Sequence, residues 1–121
     1  MDRPKIILVE DDQATLEVFA EALREEFAVW VARDGAQALE VANELDWDAD
    51  ALVVDLALGG GPRGDEFVAA YRRRSPRPGV PVIVVSGAAR AYELSRHLRP
   101  QALLFKPIEI AELLHKVRLF V

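Results

Sequence analysis

The strongest constraint on what this chain can fold into is a repeated change of hydrophobic period. Five short, β-branched apolar runs alternate with segments whose apolar residues recur at helical spacing. Lys5–Val9 reads as a strand, and residues 13–26 place Leu16, Phe19, Ala20, Leu23 and Phe27 on one helical face. Val29–Val31 reads as a second strand, and Asp34-Gly35 opens a helix to about Leu45 with Ala38, Leu39 and Ala42 as its stripe. Ala51–Leu56 (ALVVDL) is apolar enough to be buried on both faces. A glycine-rich loop over 59–64 precedes a helix over Asp65–Arg74. Val80–Val85 is a fourth strand, Ala88–Leu98 a fourth helix and Gln101–Phe105 a fifth strand. A last helix from Glu109 packs Ile110, Leu113, Leu114 and Val117. Parallel strands need crossover connections, and right-handed crossovers cover both faces of the sheet. The alternation therefore predicts an α/β sandwich of three layers. Any ligand should lie beyond the carboxyl ends of the strands.

Those ends carry chemistry. Glu10, Asp11 and Asp12 follow the first strand, Asp55 stands at the end of the third, Ser86 follows the fourth, and Lys106 follows the fifth before Pro107. Asp12 reads as the N-cap of the first helix. Asp55 loses hydration at the end of a buried strand and needs a partner. Hard oxygen donors crowded together suit Mg²⁺, which would offset their mutual repulsion. A lysine and a hydroxyl on the same edge supply donors to the oxygens of a phosphoryl group. One carboxylate can then act as nucleophile and form an acyl phosphate.

The bulk numbers narrow the classes. A chain of 121 residues holds one domain, 1–121, and leaves no room for a separate output domain. Hydrophobic residues at 51% and charged residues at 29% describe a folded, water-facing protein. A net charge of −5 offers no electrostatic footprint for nucleic acid or anionic lipid. No apolar run reaches the length of a membrane span, and MDRPK is no signal peptide. The absence of cysteine removes disulfide frameworks, thiolate zinc sites and cysteine nucleophiles, and a cytoplasmic location fits.

From end to end the chain resembles the receiver domain of two-component response regulators. The resemblance rests on ILVEDD after the first strand, VVDLAL at the third, VVSG at the fourth and FKP at the fifth, in that order and spacing. It implies the flavodoxin-like (βα)5 fold with a parallel sheet of order 2-1-3-4-5. By the same resemblance Asp55 is the phosphoacceptor, taking its phosphoryl group from a phosphohistidine of a histidine kinase or phosphotransfer protein. Asp11 and Asp55 hold Mg²⁺ directly, Glu10 through water, and the backbone carbonyl of Ala57 is a further ligand. Ser86 and Lys106 bind the phosphoryl group, and the Lys106–Pro107 bond is expected to be cis. The implied role is a signalling domain rather than an enzyme. It acts by a conformational switch in protein contacts, on a downstream protein target the sequence does not name. Binding to nucleic acid or membrane is not expected; a phosphorylation-dependent homodimer is allowed.

Two rival readings differ in class. A receiver-like scaffold that is never phosphorylated has no need of Glu10, Asp11, Asp55, Ser86 and Lys106 together. An aspartyl-phosphate hydrolase resembles its relatives by D-x-D at the first strand, where this chain has EDDQ.

Several positions depart from the family pattern. Relatives carry an aromatic residue three positions before the lysine, and here that position is Leu103, which puts the usual switch in doubt. GGGPRG replaces the usual loop after the phosphoacceptor; Gly59, Gly61 and Gly64 match G-x-G-x-x-G, but Val84 and Val85 stand where a ribose-binding acid would be needed. Ala57 and Ala88 lack polar atoms to position an attacking water, which predicts slow loss of the phosphoryl group. The basic run Tyr71–Pro78 suits a helix C-terminus. His97 and His115 have no ligand partner in register. Ala14 and Val18 lie on the outer face of the first helix, a candidate kinase-docking surface. Trp30 and Trp47 are candidates for packing at the edge of the core.

Overall fold

A computed structural model describes residues 2–58, 61–87, 93 and 96–121. The elements are β1 (Lys5–Val9), α1 (Gln13–Arg24), β2 (Ala28–Ala32), α2 (Gly35–Glu44), β3 (Ala51–Val54), α3 (Gly64–Arg74), β4 (Val82–Ser86), β5 (Ala102–Phe105) and α4 (Ile110–Phe120). The helix expected over Ala88–Leu98 falls largely outside the described residues; Glu93 and residues 96–98 are helical. All strand pairs are parallel, in the order β2-β1-β3-β4-β5. This is the flavodoxin-like topology, whose order reverses between β1 and β3.

Period-two alternation sends each strand's side chains to two separate cores. Ile7, Val9, Leu52, Val54, Val82 and Val84 pack with α2 and α3 on one face. Ile6, Leu8, Val53, Ile83, Val85 and Leu104 pack with α1 and α4 on the other. The three central strands are buried on both faces, so they read as continuous apolar runs rather than alternating ones.

Element ends follow from local hydrogen bonding. Asp12 caps α1, its carboxylate accepting from Thr15 N at 2.9 Å, and Asp34 caps α2 by accepting from Gln37 N at 2.8 Å. β2 is longer than expected because Ala28 N donates to Pro4 O and Ala32 O accepts from Glu10 N, extending the ladder at both ends. β3 is shorter by two residues: beyond Val54 the chain turns, and Ala57 N donates to Asp55 Oδ1 at 2.9 Å. β4 starts at Val82 rather than Val80, since Val80 N closes a turn onto Arg77 O, and it runs on to include Ser86.

The basic run at the end of α3 is structural. Arg77 donates to Asp48 Oδ1 (2.8 Å), Ala49 O (3.0 Å) and Asp50 Oδ1 (3.2 Å), tying the start of β3 to the turn after α3. Arg74 lies 5.0 Å over the Trp47 ring, which packs tilted on the fully buried Tyr71. Arg72 donates to the carbonyl of Leu98.

Candidate functional site

The carboxyl ends of β1, β3, β4 and β5 converge. Glu10 and Asp11 follow β1 directly, and Asp55 follows β3 with its amide still bonded to Val9 O at 2.9 Å. Ser86 ends β4, fully buried, and its carbonyl accepts from Lys106 N at 3.0 Å. The parallel sheet thus delivers residues from positions 10, 11, 55, 86 and 106 to one edge. Glu10 and Asp55 are 2% and 4% exposed, whereas Asp11 faces solvent.

Two buried carboxylates of like charge require a cation, and Lys106 supplies it. Its Nζ donates to Glu10 Oε1 and, at 3.0 Å, to Asp55 Oδ2. Burial pushes the Glu10 carboxyl up to about 7; hydrogen bonds from Lys106 and from Asp12 N restrain the rise, and the Asp55 charge adds to it. For Lys106, burial favours the neutral amine, but hydrogen bonds and charges from Glu10 and Asp55 outweigh it and raise its pKa. The ammonium therefore stays charged. It has three N–H donors, of which these two contacts use two.

Oxygen donors of Glu10, Asp11 and Asp55 lie within 4.8 Å of one another, the only such cluster among the described residues. Three carboxylates with one on the solvent side are the hard, anionic donor set that suits Mg²⁺ with several waters retained. The residues present fit that ion.

Close backbone approach holds the Asp55 backbone in place. A Cβ on Gly64, the first residue of α3, would lie 2.4 Å from Asp55 O and 2.8 Å from Leu56 Cα, so only glycine lets α3 start against β3. Of the G-x-G-x-x-G string, Gly59 lies outside the described residues and Gly61 has φ 61°. Gly64 serves the packing of α3.

Residues 6–118 match the response regulator receiver domain family. The chain belongs to that family. A response regulator receiver protein from Sinorhizobium medicae, 27% identical, superposes with a TM-score of 0.84 over 98% of this chain and 94% of that one. Chemotaxis protein CheY4 of Vibrio cholerae, 21% identical, superposes at 0.86 over 98% and 99% of the two chains, a likeness of fold. The sensor histidine kinase TmoS of Ectopseudomonas mendocina is 30% identical over 120 residues, 96% of this chain, which spans 12% of the length of TmoS.

The Lys106–Pro107 bond of this receiver is cis. Ala57 is exposed beside Asp55, and Ala88 lies outside the described residues. Leu103 is partly buried against the α2–α3 core. Phe105, two residues on along the same strand, is 54% exposed. His97 and His115 are exposed, and neither joins a metal-binding cluster among the described residues. No helix among the described residues is long and apolar enough to cross a membrane. Sequence reasoning placed Lys106 at the site but missed its ion pair with Glu10, a contact across 96 residues that no local spacing announces. It also missed Tyr71, whose hydroxyl accepts from Ala49 N at 2.8 Å.

Proposed function

We propose that this receiver accepts a phosphoryl group on Asp55 from the phosphohistidine of a histidine kinase or histidine phosphotransfer protein, with Mg²⁺ held by Glu10, Asp11, Asp55 and the Ala57 carbonyl. The observation that carries the reading is Lys106 Nζ held between Glu10 and Asp55, with Asp11 in reach of both carboxylates. An Asp55 carboxylate oxygen attacks phosphorus, and the phosphorus–nitrogen bond returns its electron pair to the imidazole. Asp55 is presented for that attack by Ala57 N on Oδ1 and Lys106 on Oδ2, which fix the plane of the carboxylate. The third N–H of Lys106 and the Ser86 hydroxyl are the donors for phosphoryl oxygens. Bound Mg²⁺ would supply positive charge for phosphoryl oxygens as transfer proceeds.

The incoming protein docks over the site. A cavity of about 550 Å³, lined by Ala14, Thr15, Val18, Phe19, Lys106, Pro107 and Ile108, adjoins the acidic cluster and accepts an apolar helix face. Signalling then runs through changed protein contacts with a downstream target, with Leu103 in place of an aromatic reporter and without nucleic-acid or membrane binding. The chain works as a single receiver domain in the cytoplasm.

Intact mass after incubation with acetyl phosphate and Mg²⁺ tests this. The expected result is one added phosphoryl group, lost in Asp55→Asn and in EDTA. A folded protein that gains no phosphoryl group from acetyl phosphate or from a phosphorylated kinase would favour the scaffold reading.

A further inference from the structure

We propose that β2 is a self-association strand through which two copies of this chain join their sheets antiparallel, before and independently of any phosphorylation. β2 is one edge of the sheet, and its five residues, Ala-Val-Trp-Val-Ala, contain no charge, no proline and no glycine. Edge strands in soluble proteins are usually blunted by such residues, so an uncharged edge calls for a partner. The sequence is also a palindrome centred on Trp30. A two-fold axis at Trp30 therefore pairs Ala28 with Ala32, Val29 with Val31 and Trp30 with its own copy.

The backbone agrees with that register. Ala28 N donates to Pro4 O and Ala32 O accepts from Glu10 N, so residues 28, 30 and 32 turn their polar groups toward β1. Val29 and Val31 then turn theirs outward, and Val29 O accepts from the exposed Arg24 Nη2 at 3.3 Å, as an outward carbonyl can. In the two-fold pairing Val29 meets Val31 of the second copy twice, and each meeting is a hydrogen-bonded pair. Trp30 meets Trp30 in a non-hydrogen-bonded pair, where Cα atoms come within about 4.5 Å and side chains lie closest. No shift by one residue keeps these outward groups opposed.

Charge at the strand ends complements this arrangement. The same register sets residue 33 of one copy opposite residue 27 of the other, beside Glu25 and Glu26. Arg33 is exposed with no ion pair among the described residues, and so is Glu25. Val31 is 36% exposed and Trp30 half-buried, surface that the second strand would cover. A strand of five residues spans about 17 Å, and its pairing alone covers less than the roughly 800 Å² per partner of a stable interface. The dimer is accordingly weak and set by protein concentration.

The chain has no cysteine, so single cysteines report the register cleanly. Cα atoms about 4.5 Å apart lie within disulfide range. Trp30→Cys should therefore cross-link to its own copy under copper–phenanthroline and oxygen. Val31→Cys should not, because its counterpart lies two residues away along the strand. Val18→Cys, on the 52% exposed outer face of α1, controls for random collision. The expected result is cross-linking of Trp30→Cys at least about tenfold faster than either control, in unphosphorylated protein. Sedimentation of the wild type should show a monomer–dimer equilibrium that Val31→Lys abolishes. Equal cross-linking at all three positions, a monomer at millimolar concentration, or a dimer that Val31→Lys leaves intact would each overturn the proposal.

Discussion

Replacing Lys106 by methionine removes the cation between two buried carboxylates while keeping the unbranched side chain up to Cε. Two consequences can be sized separately. Asp55 loses a charge-assisted hydrogen bond at 3.0 Å, worth about 2 kcal/mol. Glu10 loses its counterion, but it has an escape: with its carboxyl already pushed up to about 7, it can take a proton instead. At pH 8 that proton costs the wild type on the order of 1 kcal/mol, and at pH 6 almost nothing, because the carboxyl is already mostly neutral. The variant should therefore be about 2 kcal/mol less stable than wild type near pH 6 and about 3 kcal/mol less stable near pH 8. The sign follows from linkage. A carboxyl raised from 4.5 to about 7 in the folded state keeps a proton that the unfolded chain has released, so wild-type stability falls as pH rises through that window and levels off above it. Without Lys106 the folded value rises further and the decline continues to higher pH. Urea unfolding followed by circular dichroism, in EDTA, measures both. Equal losses at the two pH values would refute the argument, because they would mean that Lys106 does not hold Glu10 ionised.

Other substitutions test separate parts of the account. Gly64→Ala should slow phosphorylation by acetyl phosphate and destabilise the fold by about 1–3 kcal/mol, since its Cβ meets Asp55 O at 2.4 Å; unchanged kinetics would separate α3 from the acceptor. Asp46 has φ 54° after α2, so Asp46→Gly should raise the unfolding free energy by about 1 kcal/mol without altering phosphorylation. Tyr71→Phe leaves the Ala49 amide without its 2.8 Å partner and should cost about 1–3 kcal/mol in denaturant titrations, again with phosphorylation rates unchanged.

The fold was legible where period and length carried it. Buried runs such as ALVV and VIVV cannot be amphipathic helices of four or five residues, and the helices between them show one apolar face. Boundaries were less legible, because hydrogen bonds to distant residues set them: Pro4 and Glu10 lengthen β2, and the turn of Ala57 N onto Asp55 shortens β3. The acidic residues, the serine and the lysine could be placed at one edge because a parallel sheet has only one carboxyl edge. Which of them touch was not legible. Lys106 between Glu10 and Asp55, or Gly64 against the Asp55 backbone, depends on how strand ends and a helix start meet in three dimensions. Arg77, read within a basic run, turned out to bind Asp48 and Asp50 from the preceding loop.

In the proposed function the phosphoryl group sits on Asp55. Borohydride reduces an aspartyl phosphate to homoserine, which peptide mass spectrometry assigns to a single position. After reaction with acetyl phosphate and Mg²⁺, homoserine at position 55, with none at 11 or 12 and no 2-amino-5-hydroxypentanoic acid (the reduction product of a glutamyl phosphate) at 10, is the predicted result. A reduced residue at 10, 11 or 12, or a borohydride-resistant phosphate on Ser86, His97 or His115, would contradict it.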